Sequence, residues 1–104
     1  QSWTFLTNHS HVLLCIAANP DILTRDIARL VGITERSTQR IIAELEEAGY
    51  LSHAKRGRRN HYEVHPNRPL RHPLEDHLAV EALLSAITPS LEVASAFLRR
   101  APVR

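Results

Sequence analysis

Four cations stand within five positions at Lys55-Arg56-Gly57-Arg58-Arg59. A cluster of that density raises a local positive potential and suits a polyanion. A second group lies upstream at Glu35, Arg36, Gln39 and Arg40. These types match base edges: Arg takes guanine O6 and N7, Gln takes adenine N6 and N7, and Glu accepts from cytosine N4. Thr34 and Ser37 sit beside them at the start of an expected helix. There, backbone N–H groups and short hydroxyls suit a phosphate.

The charge of the whole chain says little. Its 104 residues carry a formal +2. Residues 52–72 hold six cations against one anion, while residues 1–35, 36–51 and 73–104 each come to −1. The positive charge is therefore confined to one segment, which is an electrostatic footprint for a polyanion. Twelve of the thirteen cations are Arg, the planar fork suited to phosphate and guanine. A GC-rich genome also yields Arg, so position discriminates better than type.

Other chemistry is not expected. Glu46 and Glu47 are adjacent on a helix and point about 100° apart, so they cannot work as a carboxylate pair. No Ser stands in a nucleophile-elbow context, and three Gly are too few for a phosphate loop. An enzyme and a cofactor are not expected. Cys15 is the single cysteine; it reads as a buried small hydrophobe in a reducing, cytoplasmic setting. Seven histidines include His9 and His11, then His53, His61 and His65, and His72 and His77 beside Glu75 and Asp76. They read as solvent-facing or phosphate-adjacent, with no metal site. The longest apolar run, Val12–Ala18, has seven residues, far short of the ~20 of a membrane span. The chain opens on Gln and reads as a piece of a longer protein.

The elements that must position these residues follow from caps and periodicity. Thr7 or Asn8 caps a first helix that ends at Asn19-Pro20. Thr24 caps a second, Arg25–Val31, with Ile27, Leu30 and Val31 as its apolar stripe. After Gly32, Thr34 caps a third from Glu35 to Ala48, with Thr38, Ile42 and Leu45 facing the core and Gly49 as the left-handed stop. Strands at 50–54 and 60–64 flank the cationic cluster and pair as a hairpin about Gly57. A Pro-punctuated linker, 65–69, leads to a fourth helix from Pro73 to Ile87. A last one spans Leu91–Arg100.

Two helices joined by a tight Gly-containing turn are the helix-turn-helix signature. The stretch Leu23–Leu51, with its Leu-Glu-Glu-Ala-Gly-Tyr-Leu ending and the Gly-tipped, Arg-rich hairpin after it, resembles the core of the MarR and ArsR families of bacterial winged helix-turn-helix regulators. The resemblance covers about residues 10–65. Thr38 stands where these families usually place Val, and Gln39 where Ser is common. The cysteine pair of the metal-sensing ArsR members is absent.

The expected fold is mainly α with a small β-hairpin: a winged helix-turn-helix over residues 8–65 and a C-terminal helical dimerisation extension over 66–104, with residues 1–7 able to pack on it. The expected function is sequence-specific binding of double-stranded DNA for transcription regulation. Helix 35–48 enters the major groove through Glu35, Arg36, Gln39 and Arg40. The wing at 52–64 holds the backbone or minor groove through Lys55, Arg56, Arg58 and Arg59, assisted by Thr34 and Ser37. One such module reads too few base pairs for a genome, so a homodimer is expected. Its interface draws on Trp3, Phe5, Leu74, Leu78, Val80, Leu83 and Leu84. The resemblance implies a small-molecule effector of unknown identity. The alternative is a winged-helix adaptor that uses the basic surface to contact a protein.

Overall fold

A computed structural model describes residues 2–88. Its elements in chain order are α1 (Asn8–Ala18), α2 (Thr24–Val31), α3 (Glu35–Glu47), β1 (Leu51–Arg56) and β2 (Arg59–Val64). A further helix, α4, begins at residue 80 and reaches residue 88. The protein is mainly helical, with one two-stranded antiparallel hairpin after the helix-turn-helix, the order of a winged helix.

α1 is capped by Thr7, whose hydroxyl accepts from Ser10 N at 3.3 Å. It ends at Asn19 in extended backbone, as the following Pro20 requires. Five consecutive residues, Val12 to Ile16, are buried. A helix apolar all round belongs inside a core, and α1 packs against α2, α3 and β2. Burial pushes the Cys15 thiol up to about 11, so it stays protonated and inert at neutral pH.

α2 starts one residue earlier than its sequence suggests. Leu23 is the cap residue, without a side-chain hydrogen bond, and its carbonyl accepts from Asp26 N and Ile27 N. Thr24 is thus the first helical residue rather than the cap. Gly32, at φ 86°, closes the helix, and Thr34 opens α3 by accepting from Ser37 N at 3.0 Å. Three residues therefore separate the two helices. α3 presents Thr38, Ile41, Ile42 and Leu45 to the core. The Thr38 hydroxyl, fully buried, donates to the Thr34 carbonyl at 2.9 Å, which satisfies it.

The hairpin turn is tighter than the five-residue loop expected. Lys55 pairs with Asn60 and Arg56 with Arg59, leaving only Gly57-Arg58. Positive φ falls on Gly57 at 63° and not on Arg58, the pattern of a type II′ turn, whose twist matches the strands it joins.

The expected fourth helix is the main correction. Residues 71–78 form turns, and the helix starts seven residues late, at residue 80. Backbone bonds from the linker explain the delay. Leu70 N donates to Leu78 O (3.0 Å), Val80 N to Arg68 O (2.8 Å) and Glu81 N to Pro66 O (3.1 Å). An isolated bridge pairs Pro69 with Ala79. The linker therefore holds the peptide groups that a helix from Pro73 would have used internally. Leu74 and Leu78, read as an apolar helical stripe, lie at 80% and 46% exposure. Val80 and Leu84 instead join the core of the chain itself, which withdraws them from any surface a partner could touch. The expected last helix, 91–100, lies outside the described residues.

Candidate nucleic-acid interface

The thirteen residues of α3 make about 20 Å of helix, long enough to lie in a groove. With Thr38, Ile41, Ile42 and Leu45 turned inward, Glu35, Arg36, Gln39 and Arg40 are all exposed. Arg36, Gln39 and Arg40 fall at i, i+3 and i+4, one continuous stripe. Ala43 continues that stripe and is exposed too. Sequence reasoning passed over it because it carries no polar group, although a methyl can contact thymine. Ser37 is half-buried and Thr34 exposed; the Thr34 oxygen serves as the helix cap.

Lys55, Arg56, Arg58 and Arg59 are exposed on the hairpin. Arg56 stands directly opposite Arg59, and like charges in that relation destabilise a sheet. The register therefore keeps positive charge together at the tip rather than dispersing it. Asp21, between α1 and α2, lies beneath. His61 donates from Nδ1 to its carboxylate at 2.7 Å. That hydrogen bond, more than the nearby charges of His61, Arg56 and Arg59, holds Asp21 below its ordinary range. Tyr62 N donates to Pro20 O at 2.9 Å, so β2 is tied to the same loop by backbone and side chain. On the other strand, His53 pairs with Glu46 of α3. The wing is thereby referenced to both the α1–α2 loop and the third helix.

Not every cation of the 52–72 segment is available to a ligand. Arg68 donates from Nη2 to Ala48 O at 2.9 Å, capping the C-terminal end of α3, where a cation also meets the helix dipole. Its guanidinium lies over Gly49, where a Cβ would sit 3.0 Å away. His65 is likewise structural: it donates from Nδ1 to Gly49 O at 2.9 Å and shares a hydrogen bond with Ser52. His53, His72 and His77 are exposed, and His9, His53 and His61 each also join a carboxylate from another segment of the chain.

Glu44 was also missed. Its carboxylate accepts from Arg40 Nη1 at 3.3 Å on both oxygens and from His9 Nε2 at 2.6 Å. The i, i+4 spacing from Arg40 was readable; the partner on α1, 35 residues away, was not. The His9 hydrogen bond first, and Arg40 after it, lower the Glu44 pKa.

Away from the helix and wing, a groove of about 820 Å³ opens between the N-terminal arm, α1, the end of α3 and α4, with Phe5, Leu13, Leu45, Tyr50, Leu70 and Leu83 in its lining. Phe5 of this lining packs edge to face with Trp3, centroids 5.1 Å apart, yet the two remain 93% and 65% exposed.

The MarR family profile matches residues 4–59, from the N-terminal arm to the first residue of β2, more than half of the chain. The chain belongs to the MarR family. No curated protein and no solved structure gives a significant match. As a MarR family member it is, at the level of the family, a DNA-binding transcription regulator; nothing supports the ArsR alternative. Among the described residues no helix is long and apolar enough to cross a membrane, and no three His, Cys, Asp or Glu side chains group to hold a metal ion.

Proposed function

We propose that this MarR family protein binds double-stranded DNA sequence-selectively as a homodimer. α3 lies in the major groove, with Glu35, Arg36, Gln39 and Arg40 at base edges. Thr34 and Ser37 meet a phosphate at the start of α3. Lys55, Arg56, Arg58 and Arg59 follow the backbone or enter the adjacent minor groove, where a narrow groove deepens the negative potential. The observation that carries this reading is the exposed Arg36–Gln39–Arg40 stripe on α3, tied through His53 and Glu46 to a wing whose tip is cationic.

The dimer draws on Trp3, Phe5, Leu74 and Leu78, the large hydrophobics left exposed among the described residues, together with Leu83 and the C-terminal extension beyond residue 66. Large apolar side chains left exposed on a small protein support an interaction site. The groove beside it has the size of a small-molecule site and is where an effector would act. The setting is the cytoplasm.

A salt series of gel shifts on mixed-sequence duplex tests the reading. Binding that weakens steeply with salt supports it, since each neutralised phosphate adds about 0.9 to the log–log slope. Absence of binding even at ~50 mM salt would point instead to a winged-helix adaptor whose basic surface meets an acidic protein.

A further inference from the structure

Among the described residues, Arg40 is the one member of the α3 stripe held in a side-chain network. Glu44, one turn further along, accepts from its Nη1, and His9 reaches across from α1 to fix the same carboxylate. Three side chains from two helices thus form a chain: His9, Glu44, Arg40. All three remain about half exposed, at 43%, 46% and 59%, so the network lies at the surface rather than in the core. Glu44 takes only the Nη1 hydrogens. Among the described residues, the Nη2 and Nε donors have no partner, and that edge of the fork can meet guanine O6 and N7 in a side-on bidentate contact.

An unsupported Arg carries about 2 kcal/mol of rotamer freedom that a base contact must remove. A guanidinium already held along the helix loses less on binding. The carboxylate also penalises any rotamer that carries the cation away from it. His9 matters because it holds Glu44 from outside α3, so the support does not shift with the Arg side chain.

We propose that Glu44, held by His9, is a positioning residue that sets base selectivity by orienting Arg40 for a guanine. The inference rests on the reading of α3 as the major-groove helix. The lowered pKa of Glu44 agrees with a carboxylate that stays charged at neutral pH.

The test uses the whole chain and a duplex consensus selected from a random-sequence library, with its single-base variants. Arg40→Ala locates the base pair that Arg40 reads. Glu44→Ala should then lower selectivity at that base pair alone by roughly two- to fivefold. Its affinity for mixed-sequence duplex should hold or rise, because a negative charge has left the interface. His9→Ala should act in the same direction, although it lies on another helix. Glu44→Gln, whose amide oxygen can still accept from Nη1, should retain part of the selectivity. The Arg40→Ala, Glu44→Ala double variant should be no less selective than Arg40→Ala. If Glu44→Ala and Glu44→Gln both raise affinity for every duplex equally and leave selectivity intact, Glu44 is only a surface charge and the proposal is overturned, while the groove reading stands. If Arg40→Ala leaves every base preference intact, the assignment of Arg40 as a reader falls, and the proposal with it.

Discussion

Single residues in this chain do work that their types alone do not announce. Thr38 is a polar residue at the centre of the core, tolerable because its hydroxyl donates to Thr34 O. That carbonyl also accepts from Thr38 N, so Thr38→Val orphans nothing. The variant should melt at or slightly above wild type, within ~1 kcal/mol, by calorimetry. Gly49, at φ 89° with Arg68 across it, should not tolerate a side chain. Gly49→Ala should destabilise by about 1 kcal/mol or more, since it strains the backbone and displaces the Arg68 cap. Asp21 and Glu44 are held below their ordinary values of 3.8 and 4.5. A carboxylate with a lowered folded pKa stabilises fully above its unfolded pKa and loses that contribution as pH falls through the folded one. Asp21→Asn should therefore narrow the drop in melting temperature between about pH 6 and pH 3; an unchanged drop contradicts the His61 pairing. Local signals made Thr34, Gly32 and Gly49 legible in the sequence, because a cap or a left-handed stop is decided within a few residues. Glu44 with His9, and Arg68 with Ala48, were not legible, since those partners meet only once the chain has folded.

At the scale of elements, the proposed function gives the wing and α3 separable tasks. Phosphate contacts position a protein without reading sequence, and base contacts discriminate. Arg58→Ala at the hairpin tip should weaken binding of all duplexes similarly and reduce the salt slope by about 0.9. Arg40→Ala should relax one base position, by about 1–3 kcal/mol of discrimination. Fluorescence anisotropy across a salt series distinguishes the two. The periodic elements α1, α2, α3 and the hairpin follow the sequence to within a few residues, because each carries its own boundary signals. The segment 71–78 does not. Leu74 and Leu78 show helical spacing, but the linker captures the donors of Val80 and Glu81, and Leu70 just after it donates to Leu78 O. Tertiary backbone bonds there outweigh local period.

For the whole molecule, the arithmetic of the core sets what remains for a partner. Val80 and Leu84 fill the interior, whereas Trp3, Phe5, Leu74 and Leu78 stay outside at considerable apolar exposure. That division predicts a dimer held by the arm and the 71–78 turns, with α4 as their support. Light scattering after size exclusion should give about twice 11.8 kDa, and Phe5→Glu with Leu74→Glu should shift it to the monomer without unfolding it. The central claim, that α3 reads base sequence from a symmetric pair of subunits, is tested most directly by selection from a random-sequence duplex library. The account predicts enrichment of a palindrome with half-sites about 10 base pairs apart, lost in Arg36→Ala, Gln39→Ala, Arg40→Ala protein. Recovery of unenriched sequence, bound equally by wild type and variant, would contradict it.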